Sequence, residues 1–144
     1  MSDVNDITQP HQAAHLRRRL LGEPGEMSEL RDHMRRMAVA SGFEERAVDL
    51  NLVLGELVAN AQEHGAPPVE VEAWADGRLV LEVRDGAGTL DTANVWPDRR
   101  PSPHGQRGRG MWIVRLLADV VNVRSGHGCT AVRVELSHEP QLGA

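Results

Sequence analysis

Glu56, Asn60 and His64 recur at every fourth position in the stretch ELVANAQEHG, residues 56–65. At 3.6 residues per turn they stack on one side of a helix, beside the apolar Leu57, Val58 and Ala61. A carboxylate and a carboxamide one turn apart, at the edge of an apolar stripe, suit the wall of a pocket. The amide oxygen of Asn60 can ligate a hard cation such as Mg²⁺, which keeps several waters and adds substrate phosphates. Glu56 is placed to act as a general base on an attacking hydroxyl or water. The same line also fits the boundary of an ordinary amphipathic surface helix.

Two further groups bear on that choice. Leu79, Leu81 and Val83 alternate, and Asp85 continues on the same face. An acid at the end of an inward apolar row needs a partner, because an unpaired buried carboxylate is costly. A ligand amino group, such as the exocyclic amine of adenine, would satisfy it; escape to solvent at the strand end is the alternative. Gly86 and Gly88 follow and permit close backbone approach to a ligand. The stretch GQRGRGMWIV, Gly105 to Val114, places Gly108 and Gly110 where a helix begins. Free N–H groups and the helix dipole make an anion site there, and Arg107 and Arg109 add charge. A flexible loop with a glycine cap fits the same residues. Thr130 opens the last strand and, taken alone, reads as β-propensity.

The elements that must position these groups follow from periodicity. Residues 15–21 fit a short edge strand or a basic helical turn, with the strand favoured, and Gly22-Glu23-Pro24-Gly25 reads as a break. Ser28 is a candidate N-cap for a helix carrying Leu30, Met34, Met37 and Ala38 and ending at Gly42. A second helix is expected over 44–64, closed by Gly65-Ala66-Pro67-Pro68. Val69–Ala73 and Leu79–Val83 flank the turn signal Asp76-Gly77. Periodicity disappears from Gly86 to Gly110, and a loop that long inside a domain suggests a functional lid. A third helix is expected from Met111, then a hairpin of Val121–Arg124 and Thr130–Leu136. The order predicts an α+β fold: a two-layer α/β sandwich, helices on one face of a mainly antiparallel mixed sheet. Residues 1–10 and 139–144 are expected as flexible tails, and 11–138 as one domain with a lid at about 89–109.

The chain has 144 residues and a net charge of −5, which argues against a nucleic-acid partner. The basic clusters Arg17-Arg18-Arg19 and Arg35-Arg36 read as solvated faces. Cys129 is the only cysteine, so no intrachain disulfide is expected, which fits a reducing, cytoplasmic setting. Residues 1–10 lack a secretory pattern, and no apolar run reaches transmembrane length. His11 and His15 share i,i+4 spacing without further ligands, so no metal is expected there.

Together these pieces resemble the GHKL ATPase superfamily of gyrase, histidine kinases and the bacterial anti-sigma-factor serine/threonine kinases. ELVANAQEHG looks like the N box, VRDGAG like the first glycine box and GQRGRGMWIV like the second; GCTAVRVEL is similar to the closing segment with its Thr. The resemblance covers roughly residues 15–137, and the ending NAQEHG looks most like the anti-sigma-factor kinases. No phosphoacceptor helical hairpin precedes the boxes, so a complete histidine kinase is not expected.

The resemblance implies a Bergerat-type ATP-binding fold, with ATP and Mg²⁺ bound between the sheet, the N-box helix and a lid. It implies Asn60 as the Mg²⁺ ligand, Glu56 as catalytic base and Asp85 as reader of the adenine amine, with Thr130 assisting. Gly86 and Gly88 would approach the nucleotide, and Arg107, Gly108, Arg109, Gly110 and Met111 would form the phosphate side. The implied activity is phosphorylation of a Ser or Thr on a small antagonist protein, with alternative sequestration of a sigma factor. Homodimers are common in the family. The other reading is a catalytically weak or inactive binding module of the same fold. Two features depart from the family pattern. Its first glycine box reads D-x-G-x-G, whereas Asp85 is followed directly by Gly86-Ala87-Gly88, one residue short; strand phase still favours Asp85 over Arg84 as the acid. Cys129 is inserted between Gly128 and Thr130, where a Gly-Thr pair is usual.

Overall fold

The structure, a computed structural model, describes residues 15–88 and 109–139. Residues 89–108 of the expected lid, with Arg107 and Gly108, lie outside the described residues, as do residues 1–14 and 140–144. Five strands form one sheet: β1 (His15–Leu20), β2 (Val69–Ala75), β3 (Leu79–Asp85), β4 (Val120–Gly126) and β5 (Cys129–Leu136). Their spatial order is β1-β2-β3-β5-β4, and all four pairings are antiparallel. Three helices complete the described fold: α1 (Glu26–Ala40), α2 (Ala47–His64) and α3 (Arg109–Leu117).

The register aligns inward side chains in rows across the sheet. Ala73, Leu81, Val134 and Val121 form one row, and Val71, Val83, Val132 and Val123 the next. Leu30 and Met34 of α1, Leu50, Leu54 and Leu57 of α2, and Met111 and Val114 of α3 close over them. The Met34/Met37 pair is therefore core, as expected of a side chain that fills irregular gaps. Each fully buried large aliphatic contributes roughly 1.5–3 kcal/mol. That outweighs the ends of α2, where no side-chain cap forms. Packing, not capping, fixes this helix.

The opposite face of the sheet is charged. Glu82 is almost wholly covered there, by Arg84 at 2.8 Å and by Arg124 and Arg133. Burial alone would lower the Arg84 pKa. The hydrogen bond that Arg84 donates to Glu72 and the charges of Glu82 and Glu72 outweigh it, and the pKa is raised.

The starts of α1 and α2 differ from the sequence expectation. α1 begins at Glu26, so Ser28 is inside its first turn rather than its cap. Gly25, with φ 78°, makes the entry turn, and the buried Glu26 carboxylate accepts the N–H groups of Leu21 and Gly22 at 2.6 and 2.9 Å. The other end is as expected. Gly42 has φ 83°, its N–H reaches the Val39 carbonyl, and Phe43 N–H reaches Ala38 at 2.8 Å, a Schellman closure. The segment expected as the start of the second helix is a 3₁₀ turn, Glu44–Arg46, before α2 proper.

Arg46 explains that turn. Its side chain is 1% exposed and donates to the carbonyls of Leu117 at 2.6 Å and Ser137 at 3.0 Å. Its Nε sits 3.2 Å from Asp49 Oδ2 but off the line of a hydrogen bond, so that contact is an ion pair. One side chain thus ties the start of α2 to the end of α3 and the exit of β5. Replacing Arg46 with Met leaves two carbonyls without their donor and Asp49 without its counter-ion, and should cost about 3 kcal/mol. Urea unfolding checks this; a loss below about 1 kcal/mol would mean that the clamp is dispensable.

Candidate functional site

α2 carries the Glu56–Asn60–His64 line on its half-buried flank, while Leu57, Val58 and Ala61 beside it are buried. No described residue hydrogen-bonds or ion-pairs with the Glu56 carboxylate or the Asn60 amide. His64, the last residue of the helix, lies 3.7 Å from the Glu63 carboxylate. The line thus presents one acid and one amide whose polar atoms are not spent on the described fold.

Asp85 ends β3 directly opposite Thr130 on β5, and both are buried. Arg84 faces the other side and its guanidinium binds Glu72 and Glu82, so register keeps Asp85 as the inward acid. Asp85 Oδ1 accepts the Ala87 N–H at 2.8 Å and, more weakly, the Ala66 N–H at 3.4 Å. Oδ2 accepts nothing from the described residues. An ionised carboxylate is an acceptor only, so the unused oxygen is suited to a ligand donor.

The shortened glycine turn closes on protein. Gly86 N–H donates to the Ala66 carbonyl at 2.6 Å, and a Cβ at Gly86 would sit 2.4 Å from the Pro67 oxygen. A Cβ at Gly88 would lie 2.9 Å from the Gly128 nitrogen. Both glycines therefore have a packing reason: one backs onto the exit of α2, the other onto the β4–β5 turn. Thr130 donates its hydroxyl to the Ala87 carbonyl, and Ser125 Oγ lies 3.2 Å from Thr130 Oγ1. Sequence reasoning read Gly65 and Ala66 only as a helix stop and gave Ser125 no part in the site, because their roles depend on the approach of distant segments.

α3 begins at Arg109, two residues before the expected Met111, so Arg109 and Gly110 form its first turn. Met111 is buried, and α3 packs against α2 and β4. The structure therefore brings Asp85, Gly86, Gly88 and Thr130 together at one end of β3 and β5. Glu56 and Asn60 stand on the helix whose exit meets that cluster. The described residues contain no group of three His, Cys, Asp or Glu suited to hold a metal.

The sequence model of a family described as the histidine kinase-like ATPase domain matches residues 20–136. Among solved structures, the chain is similar to the crystal structure of the RsbU and RsbW domains of Rv1364c from Mycobacterium tuberculosis. The TM-score is 0.59 at 19% identity, over 85% of this chain and 31% of that one. Likeness at that identity speaks for the fold, and this chain spans under a third of the length of that one. No curated protein matches the sequence.

Gly86→Ala should destabilise the protein by about 1–3 kcal/mol, the scale of a forced contact in a packed interior. Thermal unfolding of the variant tests this, and an unchanged melting temperature would mean that the Pro67 carbonyl moves aside freely.

Proposed function

The chain belongs to the histidine kinase-like ATPase domain family, and on that premise we propose that it is an ATP-dependent anti-sigma factor. It phosphorylates a Ser or Thr of a small antagonist protein and, alternatively, sequesters a sigma factor in the cytoplasm. One observation supports this reading above the others. The Glu56 and Asn60 groups and Asp85 Oδ2 are left without partners in the described fold, on elements otherwise committed to the core.

The residues fit the ligands that the family implies. Asn60 offers one amide oxygen, and no acidic cluster is present among the described residues. That donor set is poor for Ca²⁺ and suited to Mg²⁺ arriving with phosphate oxygens and waters. Asp85 Oδ2 would accept a hydrogen bond from the exocyclic amine of an adenine, with Thr130 beside it. Gly86 and Gly88 would flank the base, and the segment Arg107, Gly108, Arg109, Gly110 and Met111 would supply the phosphate side, since N–H groups and the helix dipole at the start of a helix favour an anion. Mg-ATP, when bound, supplies the transferable phosphoryl group and neutralises its charge. Glu56 then accepts the proton of the attacking hydroxyl, and Asn60 keeps donor and acceptor in line.

A second reading has its own support. The short glycine turn is fastened by its own protein bonds, Ala87 N–H to Asp85 and Thr130 hydroxyl to Ala87. A site so closed suits a module that binds a protein partner with weak or absent catalysis. Calorimetric titration with ATP, with and without Mg²⁺, separates the two readings, because only the kinase requires tight Mg²⁺-dependent binding.

Two variants test the roles. Asn60→Ala should abolish the Mg²⁺-dependent part of ATP binding, and unchanged affinity would remove Asn60 from the metal site. Glu56→Gln should keep ATP binding and slow phosphoryl transfer to the antagonist by about 10²-fold or more; equal turnover would reject the general-base role.

A further inference from the structure

We infer that Gly65 is a positioning residue that sets the base selectivity of this site, by leaving the room in which the Asp85 carboxylate takes its orientation. This role rests on the nucleotide reading of the site given under Proposed function.

Gly65 caps α2, and its N–H closes on the Ala61 carbonyl at 2.9 Å. Its backbone is extended, with φ −99° and ψ −158°. Any residue adopts that conformation, so the backbone does not call for glycine. Space does. A Cβ at this position would lie 2.4 Å from Asp85 Cγ, 2.5 Å from Asp85 Oδ2 and 2.6 Å from the Ala61 oxygen. The Asp85 carboxylate thus rests directly on the Gly65 Cα, with the unengaged Oδ2 on that side.

The neighbouring residue completes the mould. Ala66 sends its N–H to Asp85 Oδ1, and its carbonyl receives the Gly86 N–H. Ala87 N–H also goes to Oδ1. Oδ1 is spent on the protein and Oδ2 is not, and the flat face of Gly65 is what allows that division. A side chain at residue 65 would push the carboxyl group aside and disturb which oxygen faces the ligand.

The division has a chemical consequence. An ionised carboxylate only accepts hydrogen bonds. A purine with an amino group opposite Oδ2 pairs with it; a purine with a carbonyl there leaves two acceptors facing each other and a buried carboxylate unpaired. Discrimination built on such a pairing is large, because the mismatched ligand strands a polar group of the site. Gly65 controls that discrimination without touching the base.

The experiment is calorimetric titration of the full chain with Mg-ATP and with Mg-GTP, for wild type and Gly65→Ala. Wild type is expected to favour ATP. In Gly65→Ala the ATP affinity should fall by about tenfold or more, with GTP affinity little changed, so that selectivity collapses. Equal loss for both nucleotides, with selectivity kept, would mark Gly65 as merely structural and overturn the inference while leaving the nucleotide reading intact. A wild type that binds ATP and GTP equally would also overturn it. A wild type that binds neither would reject the nucleotide reading itself, and this role with it. If Gly65→Ala does not fold, the pair Gly65→Ala/Asp85→Gly decides. Recovered thermal unfolding in the pair would support Asp85 as the group that Gly65 accommodates. A pair as unstable as the single variant would assign the crowding to the Ala61 carbonyl and overturn the inference.

Discussion

The Gly86 N–H to Ala66 carbonyl hydrogen bond, 2.6 Å long, joins the exit of α2 to the end of β3. A helix lying on a sheet by apolar contacts alone can shift along it while exchanging one aliphatic neighbour for another. A backbone bond between the two ends removes that freedom. It also brings chain so close that no Cβ fits at Gly86 or Gly65 without displacing Pro67, Ala61 or Asp85. The orientation of the Asp85 carboxylate and the height of Asn60 on the helix follow from this junction. Asn60 stands five residues before Gly65, about 7.5 Å along the axis at the rise of an α-helix.

The other end of α2 is held as firmly, by a different device. Arg46 carries its charge into the interior and spends it on two carbonyls, one ending α3 and one just beyond β5. α2 is therefore anchored at both ends by polar contacts and along its length by aliphatic packing. Its remaining flank carries Glu56 and Asn60. Side chains on so constrained an element hold their geometry better than side chains on a loop.

The glycine turn after β3 is one residue shorter than the glycine box it resembles. The structure gives the short turn a physical closure. Ala87 bonds through its N–H to Asp85 and through its carbonyl to Thr130, and Gly88 backs onto the β4–β5 turn. Strand phase had already favoured Asp85 over Arg84 as the inward acid. Register agrees, since Arg84 is held on the charged face by Glu72 and Glu82. The overall likeness to the RsbU and RsbW domain structure is one of fold.

The amino-acid sequence by itself determined the strands, helices and their order, because burial on one face writes a period of two or 3.6 into any chain that folds this way. It determined the α2 line and the Asp85 acid for the same reason, since each polar residue interrupts an apolar period. It placed the start of α1 three residues late, because Ser28 looks like a cap while the true entry depends on the Gly25 turn and on Glu26 reaching back to Leu21 and Gly22. Arg46 was illegible: only the approach of Leu117 and Ser137, some 70 and 90 positions away, makes a buried arginine tolerable. Gly65 read as a helix stop, and Gly86 and Gly88 as room for a ligand. Only the tertiary structure decided what presses on them, because the space beside a Cα is set by segments that sequence spacing does not bring together.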